Sequence, residues 1–153
     1  MNQIGIFDFS EPLTITKPRR LIELFAGYGS QSLALKYLGI PFEHWKIAEW
    51  AIPSIQAYKD MHFDDDTDYS LGLSHDELVD YFTVHCISSD YNTPLTREQL
   101  QRRKDLRRIY NNAKASHNLL SVVNVKGSEL EITDTEHYTY ILTYSFPCQD
   151  LSG

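Results

Sequence analysis

The chain reads as an α/β protein, and three stretches of its sequence carry that reading. Leu21-Ile22-Glu23-Leu24-Phe25 is a short, mostly apolar run that passes through Ala26-Gly27-Tyr28-Gly29-Ser30 into a helical pattern. A second run, Phe42 to Ala48, opens in turn into another helical pattern. A third, Tyr138 to Tyr144, lies near the end. Short strands alternating with helices mark βαβ units, here predicting a parallel sheet of about four strands with flanking helices.

Taken in order, residues 1–19, with Pro12 and Pro18, read as an extended lead-in. Leu21 to Phe25 is the first, buried strand. Gln31 to Leu38 is the first helix, since Leu33, Tyr37 and Leu38 recur at helical spacing and Gly39 stops it ahead of Pro41. The second strand follows from Phe42, and Ala51 to Met61 is the second helix, with Pro53 tolerated in its first turn. Asp64-Asp65-Asp66-Thr67-Asp68 is an acidic, turn-rich loop. A calcium loop starting at Asp64 would need Gly and Glu where Tyr69 and His75 stand, so a solvated loop is expected. Ser74 with Glu77 forms a capping box that opens a helix to about Phe82. Thr96 with Gln99 opens a longer one, through Leu100, Leu106, Ile109 and Tyr110 to about Ala115. Residues 121–126, with Val122, Val123 and Val125, look like a further strand before Tyr138 to Tyr144.

Length and composition exclude several classes. With 153 residues, 42% of them apolar, the chain can bury the core of one domain. It has no run of 18 or more apolar residues and no basic region followed by an apolar block at Met1 to Thr16. No membrane span or secretory signal is expected, and a cytoplasmic location follows. Its two cysteines, Cys86 and Cys148, are expected as reduced thiols, and six scattered histidines show no metal-ligand spacing. Net charge is −7, against the positive charge that phosphate contacts demand. The one basic concentration is Arg97, Arg102, Arg103, Lys104, Arg107 and Arg108. It reads first as a solvated helix face and second as a phosphate-contacting helix.

The chemistry-bearing residues begin at the glycine turn. A strand entering a helix through such a turn leaves backbone N–H groups and the positive helix end facing outward, which favours an acceptor-rich ligand. Gly27 and Gly29 would let that ligand approach closely. Glu49 closes the second strand 20 positions beyond Gly29, about the spacing at which an acidic residue accepts ribose hydroxyls. Ser32 stands where a dinucleotide fingerprint needs its third glycine. That disfavours a nicotinamide-dependent oxidoreductase and leaves other adenosine-containing ligands open.

Near the end stands Tyr144-Ser145-Phe146-Pro147-Cys148-Gln149-Asp150-Leu151-Ser152. Here the chain resembles the DNA (cytosine-5-)-methyltransferases. Phe25-Ala26-Gly27-Tyr28-Gly29 looks like their first motif and Glu49-Trp50 like their second. Gly127-Ser128-Glu129-Leu130 looks like the third, with Glu129 for the usual Asp. Phe146-Pro147-Cys148-Gln149 looks like the motif of the nucleophilic cysteine. The resemblance implies a partial Rossmann-like class I methyltransferase fold. Residues 1–153 would be the N-terminal portion of the catalytic domain, and 62–120 a helical insertion. It further implies S-adenosylmethionine held by Phe25, Ala26, Gly27, Tyr28, Gly29, Ser30, Glu49, Trp50, Glu129, Leu130 and Pro147. Cys148 would be the nucleophile toward a cytosine flipped out of double-stranded DNA. The family's Glu-Asn-Val motif, arginine motif and target-recognition region have no counterpart here. The chain is therefore expected to be inactive alone. It would need a complementary C-terminal chain, or self-associate or aggregate through the sheet edge at Tyr138 to Tyr144. A competing reading is a non-catalytic adenosine-binding module.

Overall fold

A computed structural model describes residues 14–145, so the expectations at Pro147 and Cys148 lie outside the described residues. Three parallel strands, β1 (Arg19–Leu24), β2 (Glu43–Ala48) and β3 (Thr139–Tyr144), form one sheet in the order β2-β1-β3. β1 takes the centre because successive residues Leu21, Ile22 and Glu23 are all buried, as a strand covered on both faces requires. Leu24 pairs with Ala48 on one side and Tyr144 on the other, so the three strands finish at one level. The chain leaves β1 for β2 on one side and returns to β3 on the other. The crevice beyond β1 is thus a switch point, where open α/β sheets receive ligands.

The helices follow the local signals. α1 (Ser30–Tyr37) starts from Gly29 and is followed by Gly39, both with left-handed backbone. α2 (Ile52–His62) carries Pro53 in its first turn. α3 (His75–His85) and α4 (Arg97–Arg102) each open with both reciprocal bonds of a capping box, at Ser74/Glu77 and Thr96/Gln99. α5 (Leu106–Ala115) completes the set. The single long helix expected from Thr96 to Ala115 is two helices. Arg103 is extended, and its guanidinium donates twice to Asp105, at 2.9 and 2.8 Å. On one continuous helix Leu100 and Leu106 would lie about 120° apart; the break lets both enter the same core.

That core is the larger of two. Ile55 of α2 meets Leu78 and Phe82 of α3, Leu100 of α4, and Leu106 and Ile109 of α5. A smaller cluster of Ala26, Ile47 and Tyr58 lies where α2 meets the sheet. α2 therefore joins the helical body to the sheet through two residues one turn apart.

The strand expected at 121–126 is absent. Val122–Asn124 is a 3₁₀ turn, and Val123 is 84% exposed. Pairing happens earlier instead. Ile47 donates to the His117 carbonyl at 3.3 Å, and Leu119 donates to the Ile47 carbonyl at 2.8 Å, leaving a single bridge at Asn118 on the outer edge of β2. Leu120 then adopts φ +66°, which ends the extended run and turns the chain over the strand tips. The described sheet has three strands, with β3 at one edge and its Leu142 and Tyr144 exposed. No helix among the described residues is long and apolar enough to cross a membrane.

Phe82 is fully buried in the helical core. Phe82→Ala should lower the unfolding free energy by about 3–5 kcal/mol through lost burial and the cavity left behind. Urea denaturation monitored by circular dichroism measures it. A loss below about 1 kcal/mol would mean that the helical body does not hold the chain together.

Candidate ligand site

A cavity of about 790 Å³ opens at the carboxyl ends of the strands. Phe25, Gly27 and Tyr28 line it from the turn after β1, and Ala48, Glu49 and Trp50 from the end of β2. Ser54 comes from α2, Tyr91 and Asn92 from the loop after α3, and Ser145 from the residue after β3. Leu120 to Val123, which overlaps the strand expected at 121–126, forms the remaining wall. The volume suits a nucleoside-sized ligand, and the lining mixes apolar walls with a few convergent polar groups.

Glu49 is the charged group of the site, 8% exposed. One carboxylate oxygen accepts from Gly27 N–H at 2.9 Å and the other from Ala51 N–H at 2.7 Å. Its backbone is held as well: Glu49 N–H donates to Asn118 Oδ1 and Asn118 Nδ2 donates to the Glu49 carbonyl, both at 3.0 Å. Burial pushes the carboxyl above its ordinary value, while the N–H groups of Ala51, Gly27 and Trp50 draw it back. With three backbone donors on its four lone-pair sites, the carboxylate retains acceptor capacity for a ligand hydroxyl.

Beneath the turn lies a second buried carboxylate. Glu23, 1% exposed, accepts from Ser32 N–H at 3.1 Å and from the Tyr58 hydroxyl. Burial raises the Glu23 carboxyl, opposed by Tyr58 and Ser32; burial, then Glu23, pushes the Tyr58 phenol far up. Because the Tyr58 proton goes to Glu23, its oxygen accepts from His44 Nδ1 at 3.0 Å. That leaves His44 Nε2 as a bare, buried acceptor with no partner. His44 is held neutral, its pKa lowered to about 4 by burial and by Lys36, His62 and His117. His62 donates through Nε2 to the Tyr28 carbonyl at 3.0 Å and accepts from Lys36 Nζ at 3.1 Å, so it grips the turn from below.

The expected site residues separate into two groups. Phe25, Gly27, Tyr28, Glu49 and Trp50 line the cavity. Ala26 is buried under the turn, Gly29 is the N-cap of α1, and the Ser30 hydroxyl bonds to Gln31. Gly29 is needed for packing against the protein: a Cβ there would lie 2.3 Å from His62 Nε2 and 2.8 Å from the Tyr58 ring. Glu129 accepts from Lys126 N–H at 2.7 Å, and the Leu130 carbonyl accepts from Trp45 Nε1 at 2.9 Å; neither residue lines the cavity. Asn118, Tyr91 and Ser121 were not anticipated. Asn118 is 69 positions from its partner and no local pattern marks it. The turn-rich Ser88-Ser89-Asp90-Tyr91-Asn92 announces a loop but not its destination.

The basic stretch is largely occupied within the chain. Arg97 pairs with Asp80, Arg103 with Asp105, and Arg108 donates to Gln56 at 2.6 Å. Arg107 donates to the carbonyls of Ser70 (2.9 Å) and Leu73. The acidic loop is solvent-exposed, as expected, with its carboxylates bonded to neighbours: Asp65 accepts from Thr67 and Tyr69, Asp66 from Lys59, and Asp68 from Ser70 and Asn111.

No protein-family model matches the chain. Among curated proteins it is 36% identical over 146 residues to the orphan methyltransferase M.SssI of Spiroplasma monobiae. It is 33% identical over 135 residues to the type II methyltransferase M2.ScrFI of Lactococcus lactis subsp. cremoris. These alignments take in 90% and 87% of this chain but 36% of each relative, so the chain spans about a third of the length of the proteins it matches. It is a relative of these methyltransferases, and its three-stranded α/β sheet agrees with a partial Rossmann-like methyltransferase fold.

Gly29→Ala should cost about 3 kcal/mol, combining a left-handed backbone with the collision at His62 and Tyr58. Gly27→Ala meets only open space and should cost about 1 kcal/mol for its φ of +53°. Equal losses in urea titrations would contradict that division. A second expectation concerns acid. Unfolded His44 titrates near 6.5 and folded His44 near 4, so between those values the unfolded chain binds more protons and stability falls as pH falls. In His44→Gln the decline across that window should be shallower than in the parent. Unfolding titrations at pH 6.5, 5.5 and 4.5 read it, and identical slopes would acquit His44.

Proposed function

We propose that this chain is the cofactor-binding portion of a DNA cytosine-5 methyltransferase. The observation that carries the proposal is the level finish of three strands around one cavity, with Glu49 at the tip of β2 and Ser145 at the tip of β3. Cys148 follows Ser145 by three residues, within about 10 Å of chain. The Phe-Pro-Cys-Gln context marks it as the nucleophile.

S-adenosylmethionine fits the lining. The acceptor capacity left on Glu49 suits a ribose hydroxyl, Phe25 and Trp50 offer aromatic surface to the adenine, and Leu120 to Val123 supplies the remaining wall, with Ser121 in place of the expected Glu129. The sulfonium supplies an electrophilic methyl group. The Cys148 thiolate would add to C6 of a flipped cytosine, converting C5 of the ring into the nucleophile that the methyl group requires. The turn held by Glu49, Glu23 and His62 would present the cofactor from a preorganised pocket. Double-stranded DNA is the proposed substrate. The exposed outer edge of β3 is the proposed junction with a complementary C-terminal portion, without which methyl transfer should not proceed.

Calorimetric titration tests the cofactor assignment. S-adenosylmethionine and S-adenosylhomocysteine should bind and NAD should not. Glu49→Gln should weaken binding at least tenfold, since a charge-assisted hydrogen bond contributes about 1.5–3 kcal/mol. With the C-terminal portion supplied, DNA containing 5-fluorocytosine should form a covalent adduct that Cys148→Ser abolishes. Binding of NAD alone would sink the cofactor reading. Cofactor binding without any adduct would leave a non-catalytic adenosine module.

A further inference from the structure

β2 ends at Ala48, and Glu49 is the first residue past its ladder with β1. Two positions earlier, Ile47 is served on the outer side of the strand by backbone alone. It donates to the His117 carbonyl at 3.3 Å and accepts from Leu119 N–H at 2.8 Å. An outer segment that stayed extended past Leu119 would serve Glu49 in the same way. This one does not, because Leu120 adopts φ +66° and the chain leaves the edge to wall the cavity.

The side-chain amide of Asn118 fills the rung that the departing backbone leaves open. Its Oδ1 accepts from Glu49 N–H and its Nδ2 donates to the Glu49 carbonyl, both at 3.0 Å. The same Oδ1 accepts from Leu120 N–H at 2.8 Å, an Asx turn that fixes where the wall begins. Acceptor and donor are both required here. An aspartate would lack the donor, and a glutamine would carry its amide one methylene farther out. Asn118 is itself anchored in the helical body. It is buried, its N–H donates to the Ala113 carbonyl of α5 at 2.8 Å, and Leu120 beside it packs into the larger core. The tip of β2 and the start of the wall are thus located together, by one amide held from α5.

Resting on the cofactor reading above, we propose that Asn118 is a positioning residue, holding the Glu49 backbone so that the carboxylate meets a ribose hydroxyl of the ligand. Glu49 makes the contact; Asn118 sets where Glu49 stands relative to the wall at Leu120 to Val123. Without the amide, the Glu49 N–H and carbonyl lose their partners, and the strand tip must shift to satisfy them.

The test compares S-adenosylhomocysteine with its 2′,3′-dideoxy analogue, which keeps the adenine and the amino-acid end. In the parent chain S-adenosylhomocysteine should bind more tightly. Asn118→Ala should weaken it about tenfold and leave the analogue within twofold, so that the two affinities converge. A merely structural role would lower both together, so an equal loss for both ligands, or a loss for neither, overturns the assignment. Asn118→Asp carries the test if the alanine variant does not fold. It is nearly isosteric, keeps the acceptor for the two N–H groups and lacks the donor, and the same convergence is expected of it. In a Glu49→Gln background the Asn118 substitution should change S-adenosylhomocysteine affinity less than twofold, because the group it positions is already disabled. Losses that simply add overturn the positioning role. A parent chain that binds neither ligand overturns the cofactor reading itself. One that binds both equally overturns the ribose contact at Glu49, and either result takes this inference with it.

Discussion

The structure depends on where the negative charge of Glu49 is satisfied. A carboxylate removed from water is costly unless its lone pairs find donors, and the donors here come from two separate chain segments. Gly27 N–H belongs to the turn after β1 and Ala51 N–H to the start of α2. Asn118 grips the same residue through its backbone, which brings in the segment that walls the cavity. One side chain therefore sets the mutual position of the turn, the helix start and the wall. The group best suited to receive a ligand is also the pin of the site, so ligand contact and local stability are coupled at Glu49.

A second carboxylate shows what that pin is not. Glu23 is as deeply placed in the sheet but lies under the turn, and its partners Tyr58 and Ser32 leave it no opening to the cavity. The chain from Glu23 through Tyr58 to His44 consumes its polar capacity internally, down to one orphaned ring nitrogen. Between the two carboxylates the glycine turn is held from both sides, with His62 adding a bond to the Tyr28 carbonyl. A loop so clamped is preorganised, and a ligand need not supply the free energy of ordering it.

What the sequence disclosed follows the range of the interactions involved. The βαβα order, both capping boxes and the cluster of Phe25, Gly27, Tyr28, Glu49 and Trp50 rest on local pattern, and local pattern was enough. Helical periodicity in each half of Thr96 to Ala115 predicts one helix; the break answers to a core that takes both Leu100 and Leu106. The valines at 122–125 suggested a strand because β-branched residues favour one, yet Asn118 and Leu119 had already paired with β2, and Leu120 turned the chain away. At Gly29 a Cβ would meet Tyr58 and His62, a packing demand that the local pattern does not announce. Asn118 and Tyr91 act across dozens of residues, and no periodicity encodes that. The residues from Phe146 to Ser152, which carried most of the functional reading, lie outside the described structure.

The basic helices bear on how a DNA substrate would be held. Four of their six cations, Arg97, Arg103, Arg107 and Arg108, bond to groups of this chain, three of them as ties between helices or from helix to loop. A phosphate contact by these side chains would have to replace bonds they already make within the chain. The net charge of −7 acts in the same direction. Under the proposed function the grip on the phosphates must then come from the portion of the relatives that this chain does not span, and the exposed edge of β3 is where that portion would meet the sheet. Cofactor binding and DNA binding would thus be divided between two parts of one catalytic unit, with the cysteine motif at their border.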